Sequence, residues 1–216
     1  MRLFVLAAAA AALLSSQPAF AAWQEFAYPE LGFVVAFPAP PSTSTGTYSS
    51  VLVEKAPTHI FTLKQGNSLF IATVVDMMER KEEGASLMGE SEFLMHLLGD
   101  TKGNSTSRVE PGKAAVYGRQ ITIDIRDGVI PEQAGQTEAA HKWFKAATGM
   151  EIPAGSRLTI NLFFNRGRLY MIQGINLPAQ GDAGGPEAVR FAESLSFLQP
   201  DGKRNGADDP ARAAGQ

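Results

Sequence analysis

The stretch from Arg157 to Phe197 leaves this chain the least choice of fold. It reads RLTINLFFNRGRLYMIQGINLPAQGDAGGPEAVRFAESLSF. Leu158, Ile160, Leu162 and Phe164 alternate with Thr159, Asn161 and Phe163, so one strand face is wholly apolar and the other mixed. Asn165-Arg166-Gly167 supplies residues that tolerate positive φ, and the chain returns through Leu169, Met171, Ile172, Ile175 and Leu177. That pattern predicts a central hairpin. Pro186 suits a first helical position, and Val189, Ala192 and Leu195, with Phe191 beside them, predict a helix whose apolar stripe covers the hairpin.

Positions 1–21 read as a cleavable secretory signal peptide. Met1-Arg2 is the positive end, Leu3 to Leu14 is an apolar run, and Ala19-Phe20-Ala21 offers small residues for cleavage. The run is shorter than the ~20 residues of a bilayer crossing. A periplasmic location follows, with no transmembrane segment expected once the signal is removed. The sequence has no cysteine, so disulfides cannot stabilise an exported domain and its core must suffice. With about 175 residues between signal and tail, one domain (22–199) buries roughly two-thirds of its unfolded surface. Positions 200–216 are polar, without apolar periodicity, and are expected to be a disordered tail. Loss of Arg2 takes the formal charge from −3 to −4, a mild balance that argues against a nucleic-acid partner.

Taken in order, Trp23 to Pro38 predicts a short strand, a turn near Pro29 to Gly32, and a strand with Phe33, Val35 and Phe37 on one face. Ser42 to Ser50 should be an exposed connection or a sheet edge. Val51 to Val53, Ile60 to Leu63 and Leu69 to Met77 read as three strands, with turns at Ala56-Pro57 and Gly66-Asn67. Glu79 to Glu83 is a charge run suited to a solvated loop or helix entry. Leu87 to Leu98 has helical spacing, with Leu94, Leu97 and Leu98 inward, Phe93 alongside, and Glu90 and Glu92 pointing away. After a turn at Pro111-Gly112, Ala115 to Arg126 predicts a long strand with an exposed polar face. Positions 128–155 form a long insertion holding an amphipathic helix: Ala139, Ala140, Trp143, Phe144 and Ala147 on one side, Glu138, His141, Lys142 and Lys145 on the other. Trp143 and Phe144 either cap the core or belong to a lid or docking helix.

Few residues suggest chemistry. No cysteine nucleophile exists and no Gly-x-Ser-x-Gly elbow occurs. His59, His96 and His141 lie far apart, without the spacing of a zinc site. Asp124, Asp127 and Glu132, around the end of the long strand, are weak metal candidates lacking the tight alternation of a calcium loop. Gly181 to Gly185 reads as a flexible connection rather than a phosphate cradle. Arg166 and Arg168 flank the hairpin glycine, either as a positive tip for a partner or as solubilising residues. Trp23, Tyr28 and Trp143 could share a surface patch. No cofactor is implied.

The order of elements resembles that of PsbP-like proteins. Leu31-Gly32-Phe33-Val34-Val35-Ala36-Phe37-Pro38 is similar to that family's early Gly-Phe-x-Val-x-Phe-Pro strand. Arg168-Leu169-Tyr170, followed by Arg190-Phe191-Ala192-Glu193-Ser194-Leu195-Ser196-Phe197, is similar to its closing strand and helix. The resemblance covers most of Phe26 to Leu198 and implies an α+β fold, an antiparallel sheet of about six or seven strands with packed helices in an α/β/α sandwich. The family includes extrinsic photosystem subunits and exported bacterial proteins, and no shared catalytic set travels with it. The insertion carrying Trp143 departs from its simple pattern. The expectation is a non-enzymatic accessory or protein-binding domain that meets a periplasmic or membrane-associated protein through a sheet edge or the insertion helix. The alternatives are a small-ligand binder with a pocket under the 138–147 helix, lined by Trp143 and Phe144, and then an enzyme using Asp124, Asp127, Glu132 or His141.

Overall fold

The computed structural model describes residues 23–109, 115–128, 131–178 and 185–204. The expected signal peptide, the turn at Pro111-Gly112, the glycine run before Gly185 and positions 205–216 lie outside them. The elements run β1 (Gln24–Tyr28), β2 (Phe33–Phe37), β3 (Ser42–Tyr48), β4 (Ala56–Gln65), β5 (Ser68–Asp76), α1 (Gly84–Leu98) and β6 (Gly99–Val109). They continue with β7 (Val116–Ile125), α2 (Ala134–Thr148), β8 (Arg157–Asn165), β9 (Arg168–Asn176), α3 (Pro186–Ala192) and β10 (Ser196–Phe197). Seven strands form an antiparallel sheet in the order β3-β4-β5-β9-β8-β7-β6, and β1-β2-β10 form a smaller antiparallel sheet. This is the α+β architecture expected from the sequence, with helices packed on a large antiparallel sheet.

The hairpin β8–β9 sits inside the large sheet, flanked by β7 and β5. Its turn works because Arg166 and Gly167 both take positive φ, 50° and 73°, as a two-residue hairpin turn matched to strand twist requires. One sheet face carries Leu158, Ile160, Leu162, Met171 and Ile175, buried under α1 and α2 with Leu94, Leu98 and Phe144. The other carries Phe61, Phe70, Phe163 and Tyr170, buried under α3 and the small sheet with Phe33, Phe37, Phe191 and Phe197. Two cores thus share one sheet. No helix among the described residues is long and apolar enough to cross a membrane.

Several local expectations need correction. Val51 to Val53 is a loop, not a strand, with Val51 93% exposed. Glu90 on α1 fixes that loop by accepting hydrogen bonds from Ser50 Oγ (2.5 Å), Val51 N (2.7 Å) and Leu52 N (3.1 Å). A carboxylate pointing away from the core has therefore found backbone donors instead of solvent. Ala56 and Pro57 open β4 rather than forming a turn, and Pro57 is tolerated because it lies at the strand's start, before pairing with β5 begins at Thr58. Phe93 is exposed, as is Val189; the buried stripe of α3 is Ala188, Phe191 and Ala192, continued by Leu195. Ala139 is likewise exposed on α2, where Thr137 takes the inward position. The polar face of β7 is half-buried rather than exposed, because Gln120, Thr122 and Asp124 bond to neighbouring elements. The first tail residues are ordered by contacts: Leu198 bridges Arg204, Lys203 O accepts from Gln199 N, and Arg204 pairs with Glu25.

Candidate functional site: a polar groove beside the edge strand

Strand β6 closes one side of the large sheet. It is 11 residues long, polar up to Val109, and pairs with β7 on one side only among the described residues. Register places Ser105 opposite Gln120, and Gln120 opposite Asn161, in one row across β6, β7 and β8. Side chains alternate along strands, so Ser105, Ser107, Gln120 and Asn161 share the face on which Phe163 is buried under α3. Thr106 and Arg108 project to the opposite, α1-covered face by the same alternation. Helix α3 lies over β9 and β8 and stops short of β6, which leaves a trough beyond its last turn.

That trough is a cavity of about 330 Å³ bounded by Thr106, Ser107, Arg108, Val109, Gln120, Asn161, Ala192 and Glu193. Asn161 is 2% exposed, and its Nδ2 donates to the Ala192 carbonyl at 2.8 Å. A carbonyl only accepts, so this bond fixes which way the amide points. The Asn161 Oδ1 then has no donor among the described residues. Gln120 Nε2 donates to Glu193 Oε1 at 3.0 Å, which likewise fixes that amide and leaves its oxygen as an acceptor. An orphaned buried acceptor costs on the order of 1–3 kcal/mol, so such an atom marks a place where a donor belongs.

Farther along the same face, Asp124 accepts two hydrogen bonds from Arg157, at 2.6 and 3.0 Å, with Lys102 Nζ at 3.8 Å. The bond from Arg157 holds the Asp124 carboxyl below the usual carboxylate range. A second cleft, of about 350 Å³, runs between the Val53–Pro57 segment and Asp76–Arg80.

The expected site residues do not converge. Trp143 and Phe144 are buried, 4% and 1% exposed, with Trp143 edge-on to Tyr48 at 6.3 Å between ring centres. Their place is in the core under α2. His141 is half-buried on α2, while Glu132 and Asp127 are exposed on separate segments. Among the described residues no three His, Asp or Glu side chains gather as metal ligands. Arg166 donates from Nη1 to the Leu198 carbonyl at 3.1 Å, and Arg168 packs beside Gly32 and the Tyr170 hydroxyl. Tyr170 donates to the Leu31 carbonyl at 2.9 Å, and burial pushes its phenol upward. The two arginines therefore tie the hairpin tip to the small sheet. Trp23 packs edge-on to Phe70 under the Arg190 guanidinium, and Tyr28 lies against Phe33 and Phe61. Both belong to the second core, so they share no patch with Trp143.

Fold and site together define an α+β protein with a polar cavity beside a sheet edge that is unpaired among the described residues. The chain matches no protein-family model and no curated protein sequence.

Proposed function

We propose that this chain is an exported, non-enzymatic accessory protein of the periplasm that binds a partner polypeptide by adding it as a strand to β6. The free edge of β6 is the observation that carries this reading. Exposed edges are ordinarily blunted by charge, proline or bulges. Here the one irregularity falls between Thr101 and Gly103, with Lys102 beside it, and Gly103 to Val109 pairs regularly with β7. That regular segment holds no proline and a single charge, Arg108. Seven residues of unblunted edge suit an incoming extended chain, whose main-chain hydrogen bonds supply affinity while adjoining pockets select side chains. The signal-like start of the sequence and its resemblance to PsbP-like proteins support an exported accessory role. The Asp124 carboxylate is already engaged by Arg157, which leaves the catalytic alternative without a free acid there.

Proline substitution tests this. Alternate residues of an edge strand direct their N–H groups to the partner strand and to the free edge. Ser105→Pro and Thr106→Pro, made separately, therefore affect the two sides in turn. The free-edge variant should keep the wild-type melting temperature within a few degrees and lose a crosslinked partner captured from the periplasm. Equal capture by both variants would remove β6 from the reading.

A second reading, a small molecule bound under α2, has one observation behind it. Gln173 is fully buried on the sheet face under the helices, and both its amide atoms lack partners among the described residues, as does Thr137 Oγ1. Native mass spectrometry of protein purified from the periplasm tests it, since a retained ligand should appear as a fixed mass increment that denaturation releases.

A further inference from the structure

We infer that the groove beside β6 is a cation site, taking the guanidinium or ammonium group of an arginine or lysine carried by the polypeptide that adds to β6. The inference rests on the strand-addition reading and specifies what that strand must contain. Four features converge on it. Asn161 Oδ1 is buried and without a donor among the described residues. Its orientation is fixed by the bond from Nδ2 to Ala192, so it needs a donor from beyond the described residues. Gln120, which lines the same cavity, spends its amide nitrogen on Glu193 and so keeps its oxygen as an acceptor. Glu193 supplies the charge: it is exposed at the end of α3, and among the described residues Gln120 is the sole hydrogen-bond partner of its carboxylate.

The groove is thus lined by acceptors. Arg108 contributes to its wall, but alternation sends that side chain to the α1 face with Tyr117, its partner across the ladder. The side chains facing the groove accordingly carry one formal charge, that of Glu193. A guanidinium offers five donors and an ammonium three, with no acceptor on either. Such a group complements a carboxylate, two amide oxygens and the Ser107 hydroxyl; a carboxylate or phosphate would meet acceptors and a like charge. Position agrees with chemistry. A strand added to β6 lies two strand spacings, about 10 Å, from β7, where Gln120 holds Glu193. An extended arginine or lysine on the α3 face of that strand, passing over Ser105 and Ser107, meets a glutamate already leaning toward it.

The test titrates the exported chain, labelled with nitrogen-15, with the heptapeptide acetyl-Thr-Val-Thr-Arg-Thr-Val-Thr-amide and with its counterpart carrying neutral, isosteric citrulline. The arginine peptide should bind at least tenfold tighter. It should shift the backbone amides of Ser105 to Val109 and the side-chain amides of Gln120 and Asn161. Glu193→Gln, an exposed substitution that still accepts from Gln120, should erase the tenfold preference. Equal binding of the two peptides at β6 would overturn the cation site and leave strand addition standing. Shifts that avoid β6 altogether would overturn both. N-acetylarginine amide binding as tightly as the heptapeptide would make the ligand a free small cation and overturn its origin in a polypeptide.

Discussion

Replacing Gly174 by alanine measures how tightly α3 is seated on the sheet, and therefore how well the groove wall is held. Gly174 lies in β9 in ordinary strand geometry, so the cost is steric. A methyl group there would meet the carbonyl oxygen of Ala188 first, and would stand 2.5 Å from its carbonyl carbon and 2.6 Å from its Cα, all backbone atoms of α3. Carbon atoms rest comfortably at about 3.5 Å, so helix or strand must retreat by about 1 Å. Backbone cannot swing aside as a flexible side chain would, which puts the penalty near the upper end of overpacking, about 3 kcal/mol. Retreat of α3 also stretches the 2.8 Å bond from Asn161 Nδ2 to Ala192, adding about 1 kcal/mol. For a domain of this size the sum corresponds to a melting temperature lower by about 10 °C. Calorimetry reads the midpoint. In a Trp143→Phe background, the fluorescence of Trp23, which lies under Arg190 of α3 at 4.7 Å, reports the helix itself. Gly89→Ala on α1 is the control, because an added methyl there has nothing within 4 Å, and it should stabilise by about 0.5–1 kcal/mol. A Gly174→Ala protein within 1 kcal/mol of wild type, with unchanged Trp23 emission, would refute the seating of α3 and the groove geometry built on it.

Two further outcomes are expected. Trp143→Ala should cost about 3–5 kcal/mol in urea denaturation, as for a large buried aromatic, while leaving crosslinked capture of a partner intact; lost capture at wild-type stability would return Trp143 to a binding role. Asp124, held below the usual range by Arg157, contributes stability that is present above the unfolded carboxylate value near 3.9 and fades as pH falls through the lower folded value. Its side chain is 33% exposed and screened, so the amount is under about 1 kcal/mol. Asp124→Asn should flatten the acid limb of a stability–pH curve measured between pH 5 and 2, by about that amount.

What the sequence made legible follows the strength of burial patterns. The β8–β9 hairpin, β2 and the proline start of α3 were readable because each buries a face completely and so repeats with its own period. Strand β6 was not, since an edge strand that is exposed over most of its length, GDTKGNSTSRV, has no apolar alternation to display. Pairing with β7 makes it a strand, and no local signal carries that. Val189 was assigned inward over Ala188 because hydropathy favours the larger residue; close approach of α3 to Gly174 requires the smaller one. The groove was the least legible feature. Gln120, Asn161 and Glu193 come from three separate segments, each an ordinary polar residue in its own context. One clue was available: Asn161 between Ile160 and Leu162 in a strand of the central hairpin is a polar group bound to need a partner.

Photo-crosslinking from within the edge strand tests the central claim most directly. A benzophenone side chain placed at Thr106, on the face of β6 away from the groove, and in a separate protein at the exposed Phe93 on α1, would be irradiated in intact cells that export the chain. Discrete adducts from Thr106, absent from Phe93 and reduced when Glu193 is changed to Gln, are what strand addition at β6 with a cation in the groove predicts. Adducts of equal yield from both positions, or adducts from Phe93 alone, would contradict it.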